Sequence, residues 1–345
     1  MEERENNIDL LRVIASIMVI ALHVGSIYGK SISPEYPTYY FTIGNFYHSI
    51  TRVAVPIFVM LSGSFLLKNI KNMNYHYYYK KIFGKIVVPT LIFSFLYVLY
   101  SIAFGFLLSH QKGTSFNFFE PFIAWFRGSP YYHMWYMYMI MGFYAITPIL
   151  IKVRLVMGDK IFEALGWIFM IFGILFNLSP VRLIWPIQFI PYLGYFMLGY
   201  SFKNRSKEKS YIPYLVVTII SLISVFLITE LNIRFDFWKN KFYFLSPLSP
   251  LVVIGSICMY ISFLNMKKLK IRYYNMAKHT FTIYLLHAGV LSTIDLIIRH
   301  IFIKYPNPIW YMPMLILFVF IISYGISVSI NNIIEKFKIK NILKT

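Results

Sequence analysis

Residues 8–28 read IDLLRVIASIMVIALHVGSIY, and this stretch decides the fold. Crossing the hydrocarbon core of a bilayer takes about 20 mostly apolar residues in an α-helix, and this stretch has that length and composition. The whole chain is similarly apolar, because 58% of its 345 residues are hydrophobic and only 13% are charged. We therefore expect an all-α integral membrane protein, a single transmembrane domain with no appended soluble domain.

Apolar stretches of similar length recur along the chain, and they predict a bundle of about ten transmembrane helices. The loops between them are each under about 25 residues, which is too short for a separate domain. Function is therefore expected on the helices or at their ends. The predicted spans are 8–28, 45–67, 82–108, 131–151, 161–178, 184–202, 211–229, 244–265, 277–300 and 309–334.

The basic residues predict how the bundle is oriented. The net charge is +20, with 33 Lys and Arg; apart from Arg12 and Arg52, the predicted spans place 22 of them on one face and nine on the other. Because cytoplasmic loops carry the excess of Lys and Arg, both chain ends are expected in the cytoplasm. The charge then contacts anionic membrane lipids, and nucleic-acid binding is not expected.

Two residues of the first span are candidates for function. An ionisable side chain inside a span costs at least a few kcal/mol, so each one suggests a functional site. Arg12 and His23 are eleven residues apart, a spacing that puts them on one helix face about 16 Å apart. Arg12 also suits a residue snorkelling to the interface, and His23 a hydrogen-bonded core histidine.

The second span adds a third candidate. It contains SITRVAVPIFVMLSGSFL (residues 49–66) and places Arg52 about two turns in from the outer end. Arg52 cannot lose its charge, so it needs an anion or several carbonyls. Pro56 is expected to kink the helix and free carbonyls at that depth. Ser62 and Gly63 favour a small-residue packing face.

The fourth span opens with SPYYHMWYMYMIMGFYAITPIL (residues 129–150). It places His133 at the outer end, close to the expected depth of Arg52 and His23. The neighbouring Trp135 and Tyr136 are also typical of a membrane interface, so an interfacial role for His133 is the alternative.

The ninth span contains HTFTIYLLHAGVL (residues 279–291). Tyr284 and His287 are three residues apart and share a helix face. His287 is expected near the middle of the membrane, where a structural hydrogen bond and a catalytic role are both open. We keep Tyr284 and His287 as further candidate site residues.

Several function classes are excluded by what the sequence lacks. It has no GxxxxGK[ST] phosphate loop, no HExxH, no GxSxG and no pair of carboxylates inside the predicted spans. The one cysteine, Cys258, lies in an apolar run, so no thiolate metal site and no bound metal are expected. The remaining His and Arg suit a general base that activates a hydroxyl, with cations that hold an anionic donor or stabilise an oxyanion.

Four segments together resemble the acyltransferase 3 family of integral membrane O-acyltransferases. The first carries an Arg, ten residues and a His, as Arg12 and His23 do. The others are TRVAVPIFVMLSG (51–63), YYHMWYMYMIMGFYAITPIL (131–150) and HTFTIYLLHAGVL (279–291). They look closest to the branch containing the O-acetyltransferase of enterobacterial common antigen. The resemblance runs from residue 8 to about 330.

The resemblance implies a function and a location. Members move an acyl group, usually acetyl from cytoplasmic acyl-CoA, to a hydroxyl of a cell-surface or lipid-linked glycan in the bacterial plasma membrane. It implies catalytic roles for His23, His133 and Arg52. A second Arg pair near the third span of some relatives has no counterpart here, and Lys85 is interpreted as a substitute in the donor site.

A mechanism follows from the geometry of the first span. A pantetheine arm is roughly as long as the expected distance from Arg12 to His23. The CoA phosphates can therefore stay near Arg12 and Lys85 while the thioester reaches His23. His23 then acts as general base on the sugar hydroxyl or carries the acyl group itself, and both routes stay open.

Other functions remain as alternatives. A transporter or flippase for a glycan precursor is one, because intramembrane Arg can line an anionic pathway. A non-catalytic subunit of the polysaccharide-synthesis machinery is another. Within the enzyme hypothesis, the acyl group can also be succinyl, and the sequence specifies neither the acceptor nor the oligomeric state.

Overall fold

The chain forms a bundle of α-helices in the computed structural model, which describes residues 6–29, 38–112, 115–181, 183–205, 210–267, 269, 271, 273–301 and 305–336. No strand occurs among these residues, so the expected all-α fold is confirmed. The helices of the described residues are α1 (Asn6–Tyr28), α2 (Thr38–Ile50), α3 (Ala54–Leu66), α4 (Tyr75–Ile82), α5 (Val88–Lys112), α6 (Glu120–Phe126), α7 (Trp135–Met157), α8 (Asp159–Phe176), α9 (Leu193–Arg205), α10 (Ile212–Phe235), α11 (Pro250–Asn265), α12 (Tyr274–Ala277), α13 (Thr280–Ile301) and α14 (Pro308–Lys336).

Within the described ranges, eight segments are long and apolar enough to cross a membrane. This makes the chain a multi-pass membrane protein. The second segment combines α2 and α3, and the third combines α4 and most of α5. The eight are Asn6–Tyr28, Thr38–Leu66, Tyr75–Leu107, Trp135–Met157, Ile212–Phe235, Tyr243–Asn265, Thr280–Ile298 and Pro308–Lys336.

The other two predicted spans, 161–178 and 184–202, coincide with shorter helices. The α8 helix has 18 residues and begins with Asp159, Lys160 and, one turn later, Glu163. The α9 helix has 13 residues and follows a short 3₁₀ turn. Since a full crossing takes about 20 mostly apolar residues, these two helices differ from the other eight segments, and their crossing stays a prediction.

The α1 helix lies between two hydrophobic clusters. Leu11 and Val19 belong to a large cluster built mainly with α3, α7, α9 and α11. Val13 and Ile20 belong to a second cluster with α13 and α14. Because α1 is packed on both sides, its polar residues are held at fixed positions within the bundle.

The second membrane segment is broken at residues 51–53, which form a turn between α2 and α3. Pro56 is the third residue of α3, where its missing N–H removes no helical hydrogen bond. The span is therefore interrupted ahead of Pro56, by a break that places Arg52 in the turn. That Pro56 itself kinks the helix and frees carbonyls stays a prediction.

The α3 and α9 helices approach closely at two glycines. A Cβ on Gly63 would lie 1.8 Å from the carbonyl oxygen of Phe196, and one on Gly199 would lie 2.2 Å from that of Met60. Nonbonded atoms cannot come this close, so the contact requires glycine. The small-residue packing predicted at Gly63 is confirmed.

The orientation of the bundle across the membrane rests on the charge count and stays a prediction. Several of the basic residues in that count lie outside the described residues: Arg4, Lys30, Arg182, Lys207, Lys209, Lys268, Lys270, Arg272, Lys304, Lys338, Lys340 and Lys344.

Candidate active site

Three histidines from distant parts of the chain meet inside the bundle. His23 on α1 and His287 on α13 stack with their ring centroids 5.4 Å apart. His133, in the turn before α7, lies edge-on to His287 with the centroids 5.0 Å apart. We call these three residues the histidine cluster. The sequence analysis named each of these histidines as a candidate but did not predict that they lie together.

The ring of His287 has a defined orientation. It is fully buried, and its Nδ1 lies 2.6 Å from the backbone carbonyl oxygen of Tyr284. A carbonyl only accepts hydrogen bonds, so Nδ1 carries the proton and donates it. Nε2 then holds a lone pair, and it finds no hydrogen-bond partner among the described residues. The arrangement is that of an imidazole ready to accept a proton.

His133 is enclosed by aromatic rings. Its exposure is 0%, which rules out the interfacial alternative. The ring of Tyr97 lies edge-on to it at 4.9 Å between centroids, and the Tyr284 hydroxyl donates to its carbonyl oxygen at 2.5 Å. Neither ring nitrogen of His133 makes a well-formed hydrogen bond within the described residues, although the backbone of Leu285 is near enough to interact with the ring.

His23 is the most accessible member of the cluster. It is half-buried, and the ring of Tyr132 lies edge-on to it with the centroids 4.9 Å apart. An imidazole that borders both a buried histidine and a partly open position can meet a substrate.

A cavity of about 200 Å³ connects Arg12 to the neighbourhood of the cluster. Arg12 lines it together with Tyr136 and Tyr284, and most of its other lining side chains are apolar. Tyr284 contacts the rings of both His133 and His287, with centroids 5.5 Å and 5.4 Å away. The rings of Tyr136 and Tyr284 lie 5.0 Å apart. Tyr284 therefore borders both the cavity and the histidine cluster.

Arg12 has an acidic neighbour that the sequence interpretation missed. Its guanidinium lies 3.3 Å from the carboxylate of Asp9, one turn earlier on α1. The Asp9 side chain is only 3% exposed, whereas that of Arg12 is 26% exposed. Arg12 is thus an ion-paired residue that lines a cavity, and the snorkelling interpretation does not describe it.

Three histidines invite comparison with a zinc site, whose ligands converge on one point. Within the described ranges, however, no three His, Cys, Asp or Glu side chains are grouped to hold a metal ion. The cluster is a ring-packed arrangement.

A family profile described as an acyltransferase domain matches residues 5–328, nearly the whole chain. The chain belongs to the acyltransferase 3 family. The match includes all three histidines and Arg12, so the site lies inside the family's own domain. The resemblance drawn from the four sequence segments is confirmed at the level of the family.

One curated relative of this acyltransferase is an amino-acid racemase of Enterococcus faecalis, which is 27% identical over 330 residues. The match covers 87% of the acyltransferase chain but only 43% of the relative. The chain thus spans less than half the length of that relative. No solved structure matches the chain.

Arg52 of the acyltransferase lies apart from the Arg12 cavity. It occupies the turn between α2 and α3, where its guanidinium contacts both ring nitrogens of His48, one of them at 3.3 Å. Tyr192 also interacts with it electrostatically. The structure therefore adds His48 to the candidate site around Arg52.

Lys85 and Trp135 lie at the margins of the site. Lys85 is exposed in a π-helical turn, Phe83–Val87, and only its neighbour Ile86 lines the Arg12 cavity. Trp135 is partly buried, and its carbonyl oxygen accepts a hydrogen bond from the Gln188 side chain at 2.9 Å. Neither side chain lines the cavity.

The sequence interpretation also missed a buried carboxylate, Glu230 on α10. Glu230 is 9% exposed and accepts hydrogen bonds from Thr42, at 2.7 Å, and Asn45, at 2.9 Å, on α2. Arg234 pairs with it at 2.5 Å. The predicted span ended at residue 229, which left Glu230 just outside the search for intramembrane charge.

Proposed function

We propose that this enzyme transfers an acyl group from acyl-CoA to a hydroxyl of a cell-surface or lipid-linked glycan, with acetyl as the first candidate for that group. One observation supports this most: Tyr284 lines the cavity that Arg12 lines and also contacts the rings of His133 and His287. A proton acceptor and a cation at two ends of one apolar passage suit a donor with a charged end and a reactive end.

The donor fits the cavity in one direction. Its phosphates would lie by Arg12, with Lys85 contributing from the rim, while the pantetheine arm would pass the apolar side chains. Phe58, Leu61 and Ile140 are among those side chains. The thioester would then reach Tyr284 and the histidines beyond it. Binding energy from the remote phosphates would hold the carbonyl carbon in place for attack.

The transfer step needs a base. His23 takes the proton of the acceptor hydroxyl as the hydroxyl oxygen attacks the thioester carbonyl carbon. A C–O bond forms, the C–S bond breaks, and the CoA thiolate leaves and takes up a proton. In the other route the His23 nitrogen attacks the thioester first and the CoA thiolate leaves; the acceptor hydroxyl then attacks the acyl-imidazole, so that the C–O bond forms, the C–N bond breaks and the hydroxyl proton passes to the released imidazole.

The acceptor would approach from the end of the bundle where Tyr132 and Arg52 lie, opposite to Arg12. There Arg52 and His133 orient the acceptor or stabilise the oxyanion. We place the enzyme in the bacterial cytoplasmic membrane, where the polysaccharide-synthesis machinery would supply the glycan. Succinyl-CoA is the second donor to test.

The test uses the purified protein in lipid nanodiscs. Acetyl-CoA is supplied with and without surface glycan from a strain that lacks the gene, and free thiol and glycan-bound acetyl esters are measured. We expect thiol release that depends on the glycan, with one ester formed per thiol. Movement of a lipid-linked glycan across the bilayer with neither acetyl-CoA nor succinyl-CoA consumed would contradict the proposal and favour the flippase.

A further inference from the structure

The ring of Phe65, near the end of α3, contacts two cationic groups. The guanidinium carbon of Arg12 lies 4.4 Å from the ring centroid, and the ammonium nitrogen of Lys203 on α9 lies 4.0 Å from it. The two cations are therefore no farther apart than the sum of those distances. Phe65 also lines the Arg12 cavity and is partly exposed, and we call this side of the cavity its mouth. Lys203 does not itself line the cavity, but it contacts a ring that does.

Lys203 is held in this place by the backbone packing of two helices. Phe65 follows Gly63 by two residues, and Lys203 follows Gly199 by one helical turn. Gly63 and Gly199 are the residues at which α3 and α9 touch most closely. The aromatic ring favours a cation over its face, so the half-buried Lys203 side chain is held on the Phe65 ring beside the mouth.

The charges of Arg12 and Asp9 suggest a role for Lys203. Arg12 is ion-paired with Asp9 at 3.3 Å, so these two charges cancel at a short distance. An anionic donor with several phosphate charges needs a further cation near Arg12. Lys203 supplies a positive charge on the same aromatic ring, and a compact ammonium group binds phosphate as a point charge.

We propose that Lys203 and Arg12, both held on the Phe65 ring, bind the phosphate groups of the acyl donor at the mouth of the cavity. This rests on the proposed function, since it takes acyl-CoA as the donor. Two structural explanations compete with it. In the first, Lys203 only interacts favourably with the C-terminal end of the α9 helix dipole. In the second, it only adds to the positive charge of the predicted cytoplasmic face.

The test compares two donors and three variants in nanodiscs. The donors are acetyl-CoA and acetyl-pantetheine, which carries the same thioester without the phosphates. The variants are Lys203→Met, Lys203→Arg and the control Lys152→Met. Lys152 also lies over an aromatic ring, 4.8 Å from the centroid of Tyr75, but Tyr75 does not line the cavity, whereas Phe65 does.

Lys203→Met is expected to raise the KM for acetyl-CoA about tenfold, the loss of one charge-assisted hydrogen bond, with little change in kcat. Lys203→Arg should keep most of the affinity, and Lys152→Met should match the wild type. With acetyl-pantetheine, Lys203→Met and the wild type should behave alike.

The failures of the two proposals are distinguishable. A wild type that releases no thiol from acetyl-CoA contradicts the proposed function. A wild type that does release it, combined with equal KM values for Lys203→Met and Lys152→Met, overturns the role of Lys203. An equal loss with acetyl-pantetheine, or a lower melting temperature in both Lys203 variants, would also overturn it by showing a structural role.

Discussion

The imidazole rings of His23 and His287 stack with their centroids 5.4 Å apart, one on the first helix and the other on the thirteenth. The Nδ1 of His287 is bound to the Tyr284 carbonyl, which fixes the ring beside His23. Adjacent imidazoles disfavour a second positive charge. In the proposed transfer, the pair therefore takes up one proton and not two.

The variant His287→Ala is expected to lower kcat by about 10²–10⁴, because it removes the oriented ring beside the base. The KM for acetyl-CoA should change little, since His287 does not line the Arg12 cavity. Steady-state kinetics in nanodiscs check both values. The matched control is His76→Ala, which alters an exposed histidine of α4. An equal loss of kcat in that control would show that the effect is not specific to His287.

The variant Arg12→Ala should mainly raise the KM for acyl-CoA, because a phosphate-binding cation contributes ground-state binding. Arg12→Lys should keep partial activity, since a point charge still pairs with phosphate. The structure adds that Arg12→Ala removes the cation next to the buried Asp9. We therefore expect a lower melting temperature in the single variant and a partial return in Arg12→Ala/Asp9→Ala. Unchanged donor affinity in Arg12→Ala would refute the donor-site role.

Glu230→Ala is expected to destabilise the protein by about 1–3 kcal/mol, since it leaves the buried Asn45 of α2 without its carboxylate acceptor as well as removing the pair with Arg234, whose side chain is 40% exposed. The comparison is Glu163→Ala, whose partner Arg205 is 70% exposed. A surface pair of this kind contributes about 0–1 kcal/mol. Thermal melting of both variants in the same detergent checks the ranking. Equal melting temperatures would mean that the Glu230 network is not a stabilising link.

Gly63→Ala should impair folding, because its Cβ would lie 1.8 Å from the Phe196 carbonyl oxygen. Gly325→Ala in α14 is the control, since a Cβ there meets no atom within 4 Å. An Ala in a helix interior is more stable than Gly by about 0.5–1 kcal/mol, so Gly325→Ala should be neutral or stabilising. Size-exclusion profiles and melting curves separate the two; a monodisperse, equally stable Gly63→Ala protein would disprove the close contact.

Much of the fold could be predicted from local pattern, because apolar stretches of membrane-spanning length are visible without tertiary information. Eight of the predicted spans correspond to segments that meet the length and polarity conditions. The spans 161–178 and 184–202 match the length and polarity of a transmembrane helix less well. The first carries charges at its start, and the second begins with Pro186 and Pro191 ahead of a short helix.

The site was predictable only in part. Periodicity placed Arg12 and His23 on one face of α1, but it could not bring His133 and His287 to the same point, since that requires the packing of distant helices. Lys203 looked like one more basic residue of a basic face. Its place on the Phe65 ring depends on the glycine contact between α3 and α9, which no local pattern reveals.

The most direct test of the account is the rate of acyl transfer by His23→Ala, measured with acetyl-CoA and glycan alongside a melting curve. The account predicts that transfer falls by about 10²–10⁴ if His23 moves a proton, and further if it carries the acyl group. The melting temperature should stay near that of the wild type, because Ala is a good helix former and leaves no charge behind. A well-folded His23→Ala protein that acylates its glycan at a near-normal rate would contradict the account.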